Sequence, residues 1–195
     1  MAIAQAQERI APPLLTYEEY LSEDTTNERY DIIDGVREFM NPTRRHQKIL
    51  AALYRTFYVY QEQFQTGEVL IAPCDVLIRY SPLRMRQPDV MYISTERLAQ
   101  NPPDDDPKPL RPAPELVVEI LSPSDKPSVL NAKIADYCAV DVQECWLVHT
   151  EKQTVEVLQL TPTGSRSIAA YVSGQTVQSL IFSDLTLAVD AVFAE

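Results

Sequence analysis

Residues 115–149 read ELVVEILSPSDKPSVLNAKIADYCAVDVQECWLVH. The opening ELVVEIL is a nearly continuous apolar run, the pattern of a central strand buried on both faces. Ser122-Pro123-Ser124 breaks it. Residues 125–138 read as a helix, with Pro127 tolerated in the first turn and Leu130, Ile134, Tyr137 and Cys138 on the buried side. ECWLVH is a second strand. Strand, helix and strand make a βαβ unit with a right-handed crossover. The expected class is α/β, with a mixed sheet flanked by helices.

Outward from this unit the chain continues in the same style. TVEVLQL follows a short turn at Glu151-Lys152-Gln153 and pairs antiparallel. Beyond Ser165 come short strands or a hairpin and one closing segment. On the N-terminal side, MRQPDVMYIS reads as a strand after a turn at Ser81-Pro82, and GEVLIAPCDVLIRY as one strand or two with a bend at Pro73. Thr95 is placed to cap a short helix. Residues 43–64 form a long helix capped by Thr43, with Ile49, Leu50, Leu53, Phe57 and Tyr60 at helical spacing and Gly67 as its stop. Asp34-Gly35 between two apolar runs signals a type I′ hairpin. Thr16 and Glu19 make a capping box for a short helix over TYEEYLSE. Residues 1–13 read as a loose tail, residues 14–195 as a single domain, and residues 101–114 as an extended Pro-rich acidic loop.

The 195-residue chain is 45% hydrophobic and 23% charged, ordinary for a folded protein. No apolar run is long enough to span a bilayer. The first residues carry no signal-peptide pattern, so a cytoplasmic location is expected. Cys74, Cys138 and Cys145 form no CxxC pair and read as reduced cysteines. Zinc bound by these with His46 or His149 lacks the usual ligand spacing. The net charge of −11 opposes phosphate binding overall. Its distribution is uneven, however. Arg44, Arg45 and Lys48, and separately Arg79, Arg84 and Arg86, lie in stretches free of acid, whereas Glu18 to Glu38 and Asp104 to Asp106 concentrate it. A local basic face for nucleic acid is one reading; ordinary solvated charge is the other.

Glu119 stands inside the ELVVEIL run, where an unpaired carboxylate is expensive to bury. It needs a partner, and a cation or a lysine serves. Lys133 lies at the border of the helix's buried face and can reach back to the strand. Asp89 follows Pro88 at the start of an apolar strand. Two carboxylates on rigid strands with a nearby lysine suit phosphodiester hydrolysis: hard oxygens hold a divalent cation, and the lysine orients water or stabilises developing charge. Each residue also has an ordinary reading: turn chemistry for Asp89, an internal ion pair for Glu119, a solvated helix lysine for Lys133. His46 reads as a surface or capping residue, Asp75 as an optional further acid, and Trp146 as core.

The blocks ERYDIIDGVREFMNP…H, QPDVMYIS, PELVVEILSPSDK…K…Y and ECWLV, in this order, resemble the Uma-two endonuclease family of the PD-(D/E)XK superfamily. The resemblance spans about residues 16–160. It implies a restriction-endonuclease-like mixed sheet, a DNA-cleaving activity, and Mg²⁺ or Mn²⁺ held by Asp89 and Glu119. The position two after Glu119 is Leu121 rather than the superfamily's lysine, so Lys133 is the replacement the family pattern implies. Glu28 is similar to a family glutamate that approaches the site. A homodimer is expected for cutting both strands of a duplex. Against this stand a non-catalytic or regulatory interaction protein on the same fold, and a hydrolase of RNA or of smaller phosphorylated substrates.

Overall fold

The computed structural model describes residues 14–24, 26–100, 109–123 and 125–194. The tail of residues 1–13 and the acidic Asp104 to Asp106 stretch lie outside them. In chain order the elements are α1 (Tyr17–Ser22), β1 (Tyr30–Ile33), β2 (Val36–Phe39), α2 (Arg44–Phe64), β3 (Gly67–Ile71), β4 (Val76–Arg79), β5 (Arg84–Arg86) and β6 (Val90–Ser94). They continue with α3 (Thr95–Leu98), β7 (Leu116–Leu121), α4 (Pro127–Ala139), β8 (Glu144–His149), β9 (Thr154–Thr161), β10 (Gly164–Tyr171), β11 (Thr176–Gln178), β12 (Thr186–Ala188) and α5 (Val189–Phe193).

A mixed six-stranded sheet, ordered β10-β9-β8-β7-β6-β3, carries the main core. The apolar run around Glu119 is β7, parallel to β8 and antiparallel to β6. It is interior to the sheet, as its unbroken hydrophobicity requires. Alternation divides its residues between two layers. Leu116, Val118 and Ile120 face the cluster built on α2, with Leu53, Phe57 and Trp146. Val117 faces the opposite cluster with Tyr137 and Cys138 of α4. Phe57 meets Trp146 edge-on at 5.3 Å.

A second sheet, ordered β2-β1-β5-β4, stands beside the first. Here the structure corrects one expectation. MRQPDVMYIS is two strands in two sheets, β5 and β6. Gln87-Pro88-Asp89 forms the corner between them. Pro88 lacks an N–H and cannot extend a ladder. Gln87 braces the corner: its backbone N–H donates to Asp31 at 3.0 Å, its side-chain amide donates to Asp75 at 3.0 Å, and its side-chain oxygen accepts from Tyr30 N at 3.0 Å.

Smaller differences have local reasons. Gln65, not Gly67, takes the left-handed conformation that ends α2, at φ 51°. Gly67 already belongs to β3, where a Cβ would collide with the Ile93 carbonyl. Ser94 rather than Thr95 caps α3, accepting from Arg97 N at 3.1 Å. The Thr16–Glu19 capping box and the left-handed Asp34-Gly35 turn form as expected. No helix among the described residues is long and apolar enough to cross a membrane.

Candidate active site

The antiparallel register of β6 and β7 pairs Val90 with Val118 and Met91 with Val117. Continued by one residue, it sets Asp89 opposite Glu119. Both carboxylates line a cavity of about 670 Å³ where the two sheets meet, together with Asp31, Arg29, His46 and Lys133. Two protein groups hold Glu119 from α4. Lys133 Nζ lies 3.0 Å from its Oε2, and the Tyr137 hydroxyl donates to Oε1. Lys133 also reaches Asp31 at 3.6 Å. The spacing of Lys133 and Tyr137, four residues apart, puts both on one helix face over the strand.

Asp89 is held differently. The Ile120 N–H donates to its Oδ2 at 2.6 Å. Its Oδ1 faces the Arg29 guanidinium and, at 3.0 Å, His46 Nε2. Both are ion-pair contacts, and Oδ1 accepts no regular hydrogen bond among the described residues. His46 enters from the first turn of α2, whose N-cap Thr43 accepts its backbone N–H at 3.2 Å. Behind the site runs a second layer of charge. Arg86 bridges Asp31 at 2.8 Å and Asp136 of α4 at 2.6 Å. This ties the small sheet to the helix that carries Lys133.

The environments push the two carboxylates apart. Burial would raise the Asp89 carboxyl, but the His46 contact, the Arg29 charge and the Ile120 N–H outweigh it and hold it below its usual range. Burial wins at Glu119, with Lys133 opposing and Asp89 reinforcing, so its proton is held more tightly than usual. Burial would weaken the Lys133 ammonium, but Glu119 and Asp31 overrule it and keep the lysine protonated. Paired sites with separated affinities are common where proton chemistry occurs.

The structure thus brings Asp89, Glu119 and Lys133 to one cavity. It does not bring Glu28 there: that side chain is exposed, and its neighbours Arg29 and Asp31 face the cavity instead. His46, expected at the surface, turns inward. Asp75 accepts from the Tyr20 hydroxyl at 2.7 Å and from Gln87, so it supports the corner. The basic residues separate into two groups. Arg84 and Arg86 pair with Asp136, and Arg79 and Arg84 with Asp34. Arg44, Arg45 and Lys48 line a separate cleft of about 420 Å³, and no acidic side chain is among the described residues of its lining.

Among the described residues, no group of three or more His, Cys, Asp or Glu side chains is arranged to hold a metal. Mg²⁺ does not require one: one or two carboxylates suffice when water and phosphate oxygens complete the octahedron. The hard oxygens of Asp89 and Glu119 fit that donor set, with Asp89 Oδ1 now held by ion-pair contacts to Arg29 and His46 that a cation would have to replace.

Comparisons with known proteins bear on the family and the fold. A family model, Uma2, described as "Putative restriction endonuclease", matches residues 15–190. A crystal structure from Anabaena variabilis, described as "a putative nuclease belonging to DUF820", superposes with a TM-score of 0.72. It is 18% identical, and the match covers 92% of this chain and 97% of that one. At that identity the likeness shows the fold alone. A search of curated proteins finds no match.

Proposed function

Because the chain belongs to the Uma2 family of restriction-endonuclease-like proteins, we propose that it is a nuclease that hydrolyses phosphodiester bonds in DNA with the help of Mg²⁺ or Mn²⁺. The observation that carries this reading is the register that sets Asp89 against Glu119 in one cavity, with Lys133 on Glu119. Asp89 and Glu119 would hold the cation. Such an ion polarises the phosphate and lowers the pKa of its bound water. Lys133, kept protonated by its acidic neighbours, would stabilise negative charge on the phosphate rather than accept a proton. Arg44, Arg45 and Lys48 would meet the flanking backbone, since they gather in one cleft with no acid among its described lining residues. Arg79, Arg84 and Arg86 already have protein partners and contribute little to that face.

The test is cleavage of plasmid and oligonucleotide with Mg²⁺ and with Mn²⁺, comparing wild type with Asp89→Ala. Activity that needs the cation and disappears in the variant supports the proposal. Equal activity in both proteins would refute the role of Asp89. A second reading, a non-catalytic interaction protein on this fold, is favoured by the Lys133–Glu119 ion pair, which already neutralises one carboxylate. The open cavity above that pair argues for the first reading.

A further inference from the structure

Five buried side-chain polar atoms among the described residues lack a hydrogen-bond partner, and three belong to one cluster: Asp89 Oδ1, Arg29 Nε and His46 Nδ1. Buried polar groups are nearly always satisfied, so three together need a cause. The other contacts of Arg29 are long: 3.5 Å to the Gln87 carbonyl and 3.5 Å to His46 Nε2. That last nitrogen also lies 3.0 Å from Asp89 Oδ1. It cannot donate to the carboxylate and accept from the guanidinium at once. The cluster is therefore incomplete by itself, and Asp89, Arg29 and His46 are all among the residues that line one cavity.

We infer that Arg29 and His46 are a phosphate-gripping pair parked on Asp89, released to a phosphodiester when a divalent cation takes Asp89 Oδ1. The inference rests on the metal-dependent reading above and assigns two further residues to it. A guanidinium offers a planar fork that suits two phosphate oxygens, and its Nε–H has no present partner. The cation and the guanidinium compete for Oδ1, whereas the phosphate attracts the guanidinium away. Cation and phosphate therefore bind with positive coupling, and the coupling is reciprocal. Specific recognition of phosphate follows from this exchange: either ligand alone must first displace a protein ion pair.

Calorimetric titration of Mn²⁺ into wild type, Arg29→Met and Asp89→Asn, each with and without dimethyl phosphate, tests the inference. Arg29→Met should bind Mn²⁺ alone about tenfold or more tightly than wild type, the size of one charge-assisted contact removed from competition. Dimethyl phosphate should tighten Mn²⁺ binding in wild type and leave Arg29→Met unchanged. If Arg29→Met does not fold, Arg29→Lys serves: it keeps the charge but loses the fork, so it should lose the phosphate coupling. Mn²⁺ bound by wild type and lost in Asp89→Asn, but no tighter in Arg29→Met and with coupling intact in either arginine variant, overturns this inference and leaves the metal reading standing. No Mn²⁺ binding by wild type or Arg29→Met overturns both.

Discussion

Replacing Lys133 by Met removes an ammonium that faces both Glu119 and Asp31. The side chains of Lys133, Glu119 and Asp31 are only 12%, 5% and 6% exposed. Met matches the shape of the lysine stem closely, so little cavity forms and the effect is electrostatic. Asp31 keeps Arg86 at 2.8 Å and the Gln87 N–H at 3.0 Å. Among the described residues, Glu119 keeps the Tyr137 hydroxyl as its remaining hydrogen-bond donor. Leaving one member of a buried pair uncompensated costs about 3–5 kcal/mol, or about 6–20 °C in Tm for a chain of this size. Adding Glu119→Gln removes the stranded charge, and the double variant should recover at least half of the loss. The acidic limb supplies a sign. Burial already holds the Glu119 proton tightly and Lys133 opposes this, so without Lys133 the folded state keeps that proton to still higher pH. The folded variant then binds more protons than the unfolded chain, and its stability falls as pH rises through and above the ordinary carboxylate range. The deficit should be small in acid and full at neutral pH. Urea unfolding across pH, with matched slopes, measures all of this. A single variant within about 0.5 kcal/mol of wild type at neutral pH, or a double variant equal to the sum of the singles, would refute the reasoning.

Three further outcomes follow from parts of the molecule away from the cavity. Phe57→Ala should lose about 3–5 kcal/mol, because it empties the edge-on contact with Trp146 between α2 and the sheet; denaturant unfolding reads it, and a loss under about 1 kcal/mol would mean that the helix repacks. Burial pushes the Cys138 and Cys145 thiols up, the latter strongly, so mass spectrometry after iodoacetamide near neutral pH should find both unmodified until the protein is unfolded; ready labelling of Cys145 in the native protein would contradict this packing. Burial also raises the Glu144 carboxyl, despite donors from Trp146, Ser179, Leu180 and Ile181. A raised folded value means that stability is present below the ordinary Glu value and lost as pH rises through the folded one. The advantage of wild type over Glu144→Gln should therefore shrink from acid toward neutral pH, and a growing advantage would show that the four donors outweigh burial.

Much of the architecture is legible because local rules and packing agree. ELVVEIL and ECWLVH became adjacent parallel strands, and α4 spans residues close to those its periodicity marks. The capping box at Thr16 and the Asp34-Gly35 turn are decided within four residues of chain, so no distant contact overrides them. The QPD corner is different. Nothing local says that β5 and β6 belong to separate sheets; that depends on Asp31 and Asp75 arriving from elsewhere to hold Gln87. The buried-carboxylate signal marked Glu119, which the fold pairs with Lys133, and the same signal was available for Asp31, a charge between the apolar Tyr30 and Ile32 of a strand. Arg29 and His46 carry no such mark. One precedes a strand and the other sits beside a helix cap among basic residues, where exposure is the ordinary outcome. Only the tertiary meeting of α2, β1 and β6 turns them toward Asp89.

Anomalous diffraction from crystals soaked with Mn²⁺ tests the central claim most directly. The account predicts one strong peak between the carboxylates of Asp89 and Glu119, absent from crystals of Asp89→Asn. A peak elsewhere in the molecule, or an Asp89 that keeps Arg29 and His46 at saturating Mn²⁺ with no peak beside it, would contradict it.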